Sequence, residues 1–452
     1  MEEFIEEREI IWRTFGITDI TPYSVALVLI VGFLVFFLPR RYVLPALLFP
    51  AFFIPELQRL VVADLDFNVM KILVVLGWLR LMADSEEFPA LQFNKIDLAI
   101  ILWVISTTLA YWFLRGTLSA LTYQAGEALQ TLGLYFMFRF FIRELADMKP
   151  IIKGLVIVCV GIALTMMIEL VTEKNFLEIF GAKQPQWREG RLRCVGPFNH
   201  PILAGTFGAS LIPLFVAFGW QKGKAFTLSA IGVVAGIIIT LTSASSGPIM
   251  TLFAGIAGLG AWHVRKHLRL LRWGMLFSVI ALAIIMKDPI WYAITKFSLV
   301  GGSTAFHRAR LMDAAVAHFG EWAALGTEST AHWGWGLQDT TNQFIRVGID
   351  GGLVSLIIFI LIIVFCFQAI GRLLPLIKNQ SMAVKMIFWA MGASLLAHVV
   401  SFWSVSYFDQ ILFWWFLLLA FISIASDNYQ KMGQKLILGL SPQKRIFNDL
   451  AQ

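Results

Sequence analysis

The chain has 452 residues, of which 58% are hydrophobic and only 14% are charged, and its formal net charge is +7. A soluble domain usually carries about 25% charged residues, so this composition excludes an ordinary soluble enzyme. The positive charge does not by itself predict nucleic-acid binding, because lysines and arginines that flank membrane helices give the same excess. The three cysteines, Cys159, Cys194 and Cys366, lack metal-ligand spacing and predict no disulfide framework.

The first segment, 1–20, is acidic. Met1–Arg13 contains five glutamates and no apolar core, so we expect no cleavable signal peptide here. The stretch Phe4–Phe15 is amphipathic, and it either leads into the first crossing or lies flat on the membrane surface.

Long apolar runs separated by short charged clusters predict an all-α polytopic membrane bundle of 12 or 13 transmembrane helices. A bilayer core about 30 Å thick needs ~20 apolar residues per helical crossing. Helices are favoured because they satisfy their own backbone hydrogen bonds in lipid. The predicted crossings are 21–38, 42–56, 69–83, 97–113, 118–138, 151–171, 201–219, 225–241, 249–262, 274–286, 350–370, 386–404 and 410–425.

Lysines and arginines are concentrated in alternate connections, which the positive-inside rule places in the cytoplasm. We therefore divide the chain into segment 1–20, helices 1–10 in 21–286, a large outer loop 287–349, helices 11–13 in 350–425, and a basic cytoplasmic tail 426–452. Most of the other basic residues fall in two outer connections, loop one (172–200) and loop two (287–349). Connections longer than ~12–15 residues are often functional.

Loop one carries Arg188, Arg191 and Arg193, followed by Asn199 and His200 at the mouth of a crossing. Arginine donates paired hydrogen bonds to phosphate oxygens, so this cluster could hold the pyrophosphate of a lipid-linked substrate. Alternatively, the arginines pair with nearby glutamates or lipid headgroups, and Asn199 and His200 only cap the next helix.

Loop two is predicted to contain its own helix over Ala305–Phe319, with His307, Arg308 and Arg310 near its start. Arg310 and Asp313 stand three residues apart, which favours a structural ion pair on a helix. His332, Asp339, Asn342 and Arg346 follow before the next crossing. Asp339 and Asn342 either cap that helix, or Asp339 or His332 acts as a general base.

Three further polar features lie at or near the ends of crossings. The turn Thr242–Pro248 is either a hydroxyl-lined site or a simple tight turn. Glu127 and Glu169 fall near the ends of predicted crossings, so we expect them to be exposed at the membrane interface.

Four motifs resemble those of bacterial O-antigen ligases and related polysaccharide polymerases, over roughly residues 42–425. Their order and membrane side agree with the predicted threading. They are Gly196-Pro-Phe-Asn-His-Pro-Ile-Leu-Ala-Gly205, the turn Ser245-Ser-Gly247, His307-Arg-Ala-Arg310, and Gly334-Trp-Gly336 with Asp339-Thr-Thr-Asn-Gln-Phe344 and Gly351-Gly352.

The resemblance implies a metal-independent membrane glycosyltransferase of the C-type architecture that needs no cofactor. Such an enzyme takes a glycan from an undecaprenyl-pyrophosphate carrier at the periplasmic face of the bacterial inner (cytoplasmic) membrane. A sugar hydroxyl of the acceptor then attacks the anomeric carbon with inversion. By position, Arg191, Arg193, Arg308 and Arg310 match the family's pyrophosphate-binding arginines.

The full set of candidate residues combines this resemblance with the two loops. Candidates for catalysis are Asp339, His332 and His200. Candidates for pyrophosphate or substrate binding are Arg188, Arg191, Arg193, Asn199, His307, Arg308, Arg310, Asn342 and Arg346. We expect an undecaprenyl-pyrophosphate-linked oligosaccharide, membrane lipid and polysaccharide chain-length or export proteins as partners, and no nucleic acid.

Two departures from the family favour a divergent, exopolysaccharide-polymerase-like branch. Ligases carry His-Asn where this chain has Thr341-Asn342, so the histidine base is missing from that position, and Asp339 could replace it. Many members carry Ser-Arg-Gly where this chain has Ser245-Ser246-Gly247. Two other functions remain open, a flippase for the same lipid-linked oligosaccharide and a non-catalytic scaffold of an export assembly.

Overall fold

The structure, a computed structural model, describes residues 17–62, 65–84, 91–221, 223–292 and 303–437. The first sixteen residues of the acidic segment, with the whole stretch Phe4–Phe15 included, lie outside the described residues. The part of the predicted basic tail beyond residue 437 also lies outside them.

Helices dominate the described chain, and each predicted crossing coincides with one of them. The helices are α1 (Pro22–Phe37), α2 (Arg40–Phe53), α3 (Val69–Met82), α4 (Lys95–Arg115), α5 (Leu118–Phe141), α6 (Met148–Thr172), α7 (Pro201–Phe218), α8 (Lys224–Thr242), α9 (Ser246–Gly260), α10 (Leu268–Ile285), α11 (Ser303–Ala317), α12 (Phe319–Trp322), α13 (Gln343–Leu376), α14 (Met382–Ser401) and α15 (Ile411–Ile437). Helix α11 confirms the predicted helix within loop two.

Among the described residues, seven helical segments are long and apolar enough to cross a membrane: Lys95–Arg115, Leu145–Thr172, Pro201–Gln221, Lys224–Thr242, Arg265–Ile285, Gln343–Leu376 and Met382–Ser401. Shorter apolar helices occupy Pro22–Phe37, Ser246–Gly260 and Ile411–Asp427. These findings confirm a mostly helical bundle and indicate a membrane protein that crosses the bilayer several times. The number 12 or 13 for the crossings stays a prediction.

Helix α7 lies at the centre of the bundle. It has no charged residue, and it packs against α8, α9 and α14. Phe207 and Phe215 of α7 are fully buried, and Ser210 accepts a hydrogen bond of 3.0 Å from the indole Nε1 of Trp414 on α15. Because His200 begins this helix, the rigid core fixes the position of the loop-one motif.

Helix α13 begins at Gln343, earlier than the predicted crossing 350–370, and continues to Leu376. Asn342 caps it, since its side-chain Oδ1 accepts from the backbone N–H groups of Phe344 at 2.9 Å and Ile345 at 3.2 Å. The predicted boundary near Gly351 marks a kink instead, where Gly352 has φ 72°. A Cβ there would lie 2.5 Å from the carbonyl oxygen of Ala324, so only glycine fits.

In the part of the chain that the structure describes, two small antiparallel hairpins interrupt the helical architecture, and the all-α prediction did not include them. Strand β1 (Arg59–Val62) pairs with β2 (Leu65–Asn68), and β3 (Gln186–Arg188) pairs with β4 (Arg191–Arg193). Strands this short give little periodic signal, and they are stable here because the helical core supports them.

Buried ion pairs stabilise the end of the bundle that carries the predicted cytoplasmic connections. Arg139 pairs with Asp97 at 3.0 Å and with Asp427 at 2.6 Å, and its side chain is only 2% exposed. Arg40 pairs with Asp147 at 2.8 Å. The charges that determine the predicted topology at this end therefore also link neighbouring helices.

Candidate functional site

A cavity of about 2270 Å³ lies where several connections meet at the other end of the bundle. Its lining comes from the segments 56–71, 118–129, 183–202, 307–308, 331–341 and 405–408. All of these segments include or adjoin connections predicted to lie on the outer side. The structure therefore brings loops one and two together at one end of the bundle.

Loop one presents its arginines on the hairpin β3–β4. Glu189 and Gly190 form the turn, with φ of 52° and 73°, and two positive φ angles are typical of a tight two-residue hairpin turn. Arg188 pairs with Arg191 in register, and Gln186 pairs with Arg193. Since side chains alternate along a strand, all three arginines belong to one face of the hairpin.

Arg193 is the buried arginine of this hairpin, with 6% of its surface exposed. Its Nη2 donates a hydrogen bond of 2.8 Å to the hydroxyl of Ser245. The guanidinium thus reaches the Ser245-Ser246-Gly247 turn from loop one. Burial, and next the charge of Arg188, lowers the pKa of Arg193 to about 10.

Arg308 on α11 lines the same cavity and is 7% exposed. Its Nε is buried without a hydrogen-bond partner among the described residues. Burial, followed by the charges of Arg188 and Arg193, lowers its pKa to about 10, while Asp339 acts in the opposite direction. We call Arg188, Arg193 and Arg308, which all line the cavity, the basic cluster.

Within the described ranges, neither Arg193 nor Arg308 forms an ion pair with a carboxylate. Buried guanidinium groups normally require an anionic partner because removing a charge from water is costly. The mutual repulsion within the basic cluster adds to that cost. This arrangement is suited to a polyanionic ligand that enters the cavity.

Three other predicted arginines do not line the cavity. Arg191 is exposed beside the hairpin turn. Arg310 is half-buried, and it lies near Gly334 and not in the expected pair with Asp313, which instead accepts hydrogen bonds from Trp291 and Tyr292. Arg346 forms an ion pair of 2.7 Å with Asp350 one helical turn away.

Asn199 and His200 line the cavity and also anchor the start of α7. The Nδ1 of His200 accepts a hydrogen bond of 3.2 Å from the backbone of Ile202, which confirms the capping interpretation. Burial, and then the charges of Arg193, Lys183, Arg188 and Arg308, lowers the pKa of His200 to about 3. The ring is therefore neutral with its proton on Nε2, so it is a hydrogen-bond donor and a poor general base.

His307 and Asp339 also line the cavity, beside Thr341. The Nε2 of His307 lies 3.0 Å from the carbonyl oxygen of Gly336, and its Nδ1 lies 3.5 Å from the hydroxyl of Thr341. Because a carbonyl only accepts, Nε2 carries the proton and Nδ1 keeps a lone pair. The structure therefore brings a histidine next to Thr341, which sequence spacing alone did not indicate.

His332 and Asn342 do not line the cavity. His332 is exposed, and its Nε2 lies 3.0 Å from the carboxylate of Glu321. Asn342 is buried as the cap of α13. Their positions favour structural roles over the predicted catalytic and binding ones.

Sequence reasoning missed a pair of neighbouring acids at the cavity: Glu56, which is half-buried and lines it, and Asp409, which is fully buried. Asp409 accepts backbone hydrogen bonds from Asn199 at 2.6 Å and from Glu56 at 3.4 Å. Burial, and next the charge of Glu56, raises the pKa of Asp409 to about 8, and burial likewise raises that of Glu56. The polar Asp409-Gln410 step before an apolar run was the available signal.

Two glutamates that we expected at the membrane interface behave differently from each other. Glu127 lines the cavity, 3.3 Å from the Nζ of Lys71, and its side chain is 42% exposed. Glu169 is fully buried, so the expectation of exposure was wrong for it. Its carboxylate accepts from the backbone N–H groups of Val195 at 3.0 Å and Gly196 at 2.9 Å, which holds the end of loop one.

Fold and cavity together indicate a helical membrane protein that crosses the bilayer several times and has a cavity with clustered arginines at one end of the bundle. A comparison with protein-family models finds no match to this chain. A search of curated proteins also finds no match.

Proposed function

We propose that the chain is a membrane glycosyltransferase, a polysaccharide polymerase or ligase. In this proposal it transfers glycan repeat units from an undecaprenyl-pyrophosphate carrier to a sugar hydroxyl at the periplasmic face of the bacterial inner membrane. The observation that carries the proposal is the pair Arg193 and Arg308, which come from different loops to one cavity and are buried without a carboxylate partner in the described chain.

A pyrophosphate leaving group would supply the negative charge that these arginines lack. During transfer, the acceptor oxygen forms a bond to the anomeric carbon while the bond from that carbon to the phosphate oxygen breaks. The bonding electron pair leaves with the pyrophosphate, and guanidinium groups stabilise the charge that develops there. The neutral Nε2–H of His200, which lines the same cavity, is suited to donate a further hydrogen bond.

The size of the cavity supports a substrate larger than a metabolite. Pockets for drug-sized ligands are usually about 300–1,000 Å³, whereas this cavity holds about 2270 Å³. Trp187 and Trp335 are exposed and line it, and aromatic faces are suited to pack against sugar rings. This volume is sufficient for both a donor glycan and an acceptor.

Two groups beside Thr341 are candidates to take the proton of the acceptor hydroxyl. Asp339 is the candidate from the sequence, and it lines the cavity. His307 is added by the structure, because its hydrogen bond to the Gly336 carbonyl orients the ring and leaves Nδ1 as a base. A base must lie within hydrogen-bond reach of the attacking hydroxyl, and both residues line the cavity that would hold the acceptor in this proposal.

A flippase for the same lipid-linked oligosaccharide would also bind pyrophosphate, and a scaffold would need no reaction centre at all. Transporters usually place charged groups or broken helices at the bilayer midplane. Here the basic cluster belongs to the loops that join the ends of crossings. The oriented His307 ring favours group transfer over either alternative.

The decisive test uses the purified full chain with lipid-linked repeat units prepared from the producing cells. We expect the glycan chains to be extended, with release of undecaprenyl pyrophosphate. Arg269→Ala is the matched control for variants of the basic cluster, because it removes an exposed arginine at the start of α10, outside the cavity lining. Transfer of the lipid-linked oligosaccharide across the vesicle bilayer without extension would identify a flippase. If the protein shows neither extension nor transfer, the scaffold function is favoured.

A further inference from the structure

Loop two contains a second cluster of ionisable side chains that does not belong to the cavity lining. It consists of His318, which directly follows α11, Glu321 on α12, and His332 in the 3₁₀ turn Ala331–Trp333. One ligating atom from each residue lies within 4.8 Å of the others. Two imidazoles and a carboxylate form one of the ligand sets that proteins use for zinc.

Hydrogen bonding of the His318 ring leaves one nitrogen with a lone pair for a metal. Its Nδ1 lies 2.9 Å from the carbonyl oxygen of Ala314, so Nδ1 carries the proton and Nε2 keeps the lone pair. The ring also stacks on Trp333, with 5.1 Å between the ring centroids. Histidines that bind metal typically donate their other ring N–H to a carbonyl or carboxylate in this way.

The carboxylate of Glu321 is held from two sides as well. Its Oε1 accepts a hydrogen bond of 2.6 Å from the hydroxyl of Thr327, and its Oε2 accepts one of 3.1 Å from the indole of Trp333. The Nε2 of His332 lies 3.0 Å from the same Oε2. Ligand atoms around tetrahedral zinc lie about 3.3–3.5 Å apart, so small side-chain rotations would close the site.

We propose that His318, Glu321 and His332 bind one divalent transition-metal ion, of which zinc fits best. Zinc accepts mixed nitrogen and oxygen ligands in a tetrahedron, whereas magnesium prefers an octahedron of oxygens. Since Glu321 and His332 are exposed, water can complete the fourth position. The nitrogen of His332 that now faces Glu321 must give up its proton to the ring's other nitrogen or to solvent.

The position of this site predicts a structural role. The metal would join the helical part of loop two to the turn that contains His332. That turn contains Ala331 and adjoins Gly334 and Trp335, and all three residues line the cavity. The ion would therefore fix one rim of the cavity without taking part in the glycosyl transfer.

Isothermal titration of the purified, chelator-treated full chain with zinc chloride tests this proposal. We expect saturable uptake of one ion per chain, a rise in the unfolding temperature, and no comparable effect of magnesium chloride. Removing a residue that only hydrogen-bonds to a metal ligand typically lowers metal affinity about 10–100-fold. His318→Ala and His332→Ala each remove a ligand itself, so each should lower the affinity for zinc by at least about 100-fold. Affinity should fall as the pH is lowered, because protons compete for the imidazoles.

His267→Ala is the matched control, because it removes an exposed histidine outside the cluster and should leave the affinity unchanged. Glu321→Gln keeps the size of the side chain, and a circular dichroism spectrum will show whether each variant is folded. The proposal is overturned if the folded wild-type chain takes up no zinc, or if the cluster variants bind it as tightly as wild type. The proposed glycosyltransferase function does not depend on either result.

Discussion

The basic cluster and the acidic pair Glu56 and Asp409 meet around one cavity, but their charges are compensated in different ways. Asp409 accepts backbone hydrogen bonds, and Glu56 accepts a hydrogen bond of 2.8 Å from the side-chain amide of Asn68. Arg193 has one neutral hydroxyl partner, and Arg308 has an unsatisfied Nε in the described chain. Groups of the protein therefore satisfy the acids, whereas Arg193 and Arg308 keep hydrogen-bonding capacity and charge that a bound anion could satisfy.

Buried carboxyl groups and buried arginines differ in whether they can lose their charge. A carboxyl with a raised pKa can become neutral and remain as a hydrogen-bonded part of the fold. An arginine stays charged at physiological pH even when its pKa falls to about 10, as at Arg193 and Arg308. Its burial without an ion pair to a carboxylate in the described chain therefore favours a ligand site, and the following predictions test this contrast.

The largest effect is expected from Arg308→Ala. Removing one preorganised donor from a developing charge typically costs about 100–1,000-fold in rate, and we expect a loss of this size in polymer extension. Arg308→Lys should rescue poorly, because lysine keeps the charge but lacks the planar fork. The unfolding temperature should not fall, since the variant removes repulsion within the basic cluster. An active Arg308→Ala protein, or an inactive one that is also unfolded, would contradict the contrast.

The next effect concerns the base. A general base typically contributes about 100–10,000-fold, so either His307→Ala or Asp339→Asn should lose that much activity while the protein level stays normal. The rate profile against pH should also lose its acid limb in the variant that removes the base. If Asp339→Asn keeps full polymer synthesis, Asp339 is not the base. If both variants keep it, the assignment beside Thr341 fails.

Only part of this site could be predicted from the sequence. The clustered arginines of loop one and the His307-Arg308 step were visible in it, because charge in an apolar chain is conspicuous. The approach of His307 to Thr341, 34 residues later, depends on how loop two folds back. The same holds for Arg193 and Ser245, and for Glu56 and Asp409, which are 353 residues apart. Sequence spacing carries no information about such long-range contacts.

A smaller effect, on stability, is expected from the acidic pair. The folded pKa of Asp409, about 8, lies above the ~3.9 of an unfolded aspartate, so its contribution is complete below pH ~4 and is lost as the pH rises through 8. Asp409→Asn cannot ionise, and unfolding temperatures measured from about pH 5 to about pH 9 should fall less steeply than in wild type. At the acid end the variant should be less stable by about 1 kcal/mol, because its amide disturbs one backbone hydrogen bond. Parallel curves for the two proteins would show that Asp409 is already ionised in the fold.

The smallest effect is expected from Glu127→Gln. The carboxylate is 42% exposed and lies 3.3 Å from Lys71, and pairs with such exposure usually contribute only about 0–1 kcal/mol. The amide can still accept a hydrogen bond from Lys71 or from a sugar hydroxyl, so we expect extension within a few-fold of wild type. A loss of about 100-fold, with the unfolding temperature unchanged, would place Glu127 at the reacting hydroxyl. In that case the acidic side of the cavity, and not the segment around Thr341, would supply the base. The acids would then activate the acceptor hydroxyl, while the basic cluster would bind the leaving group.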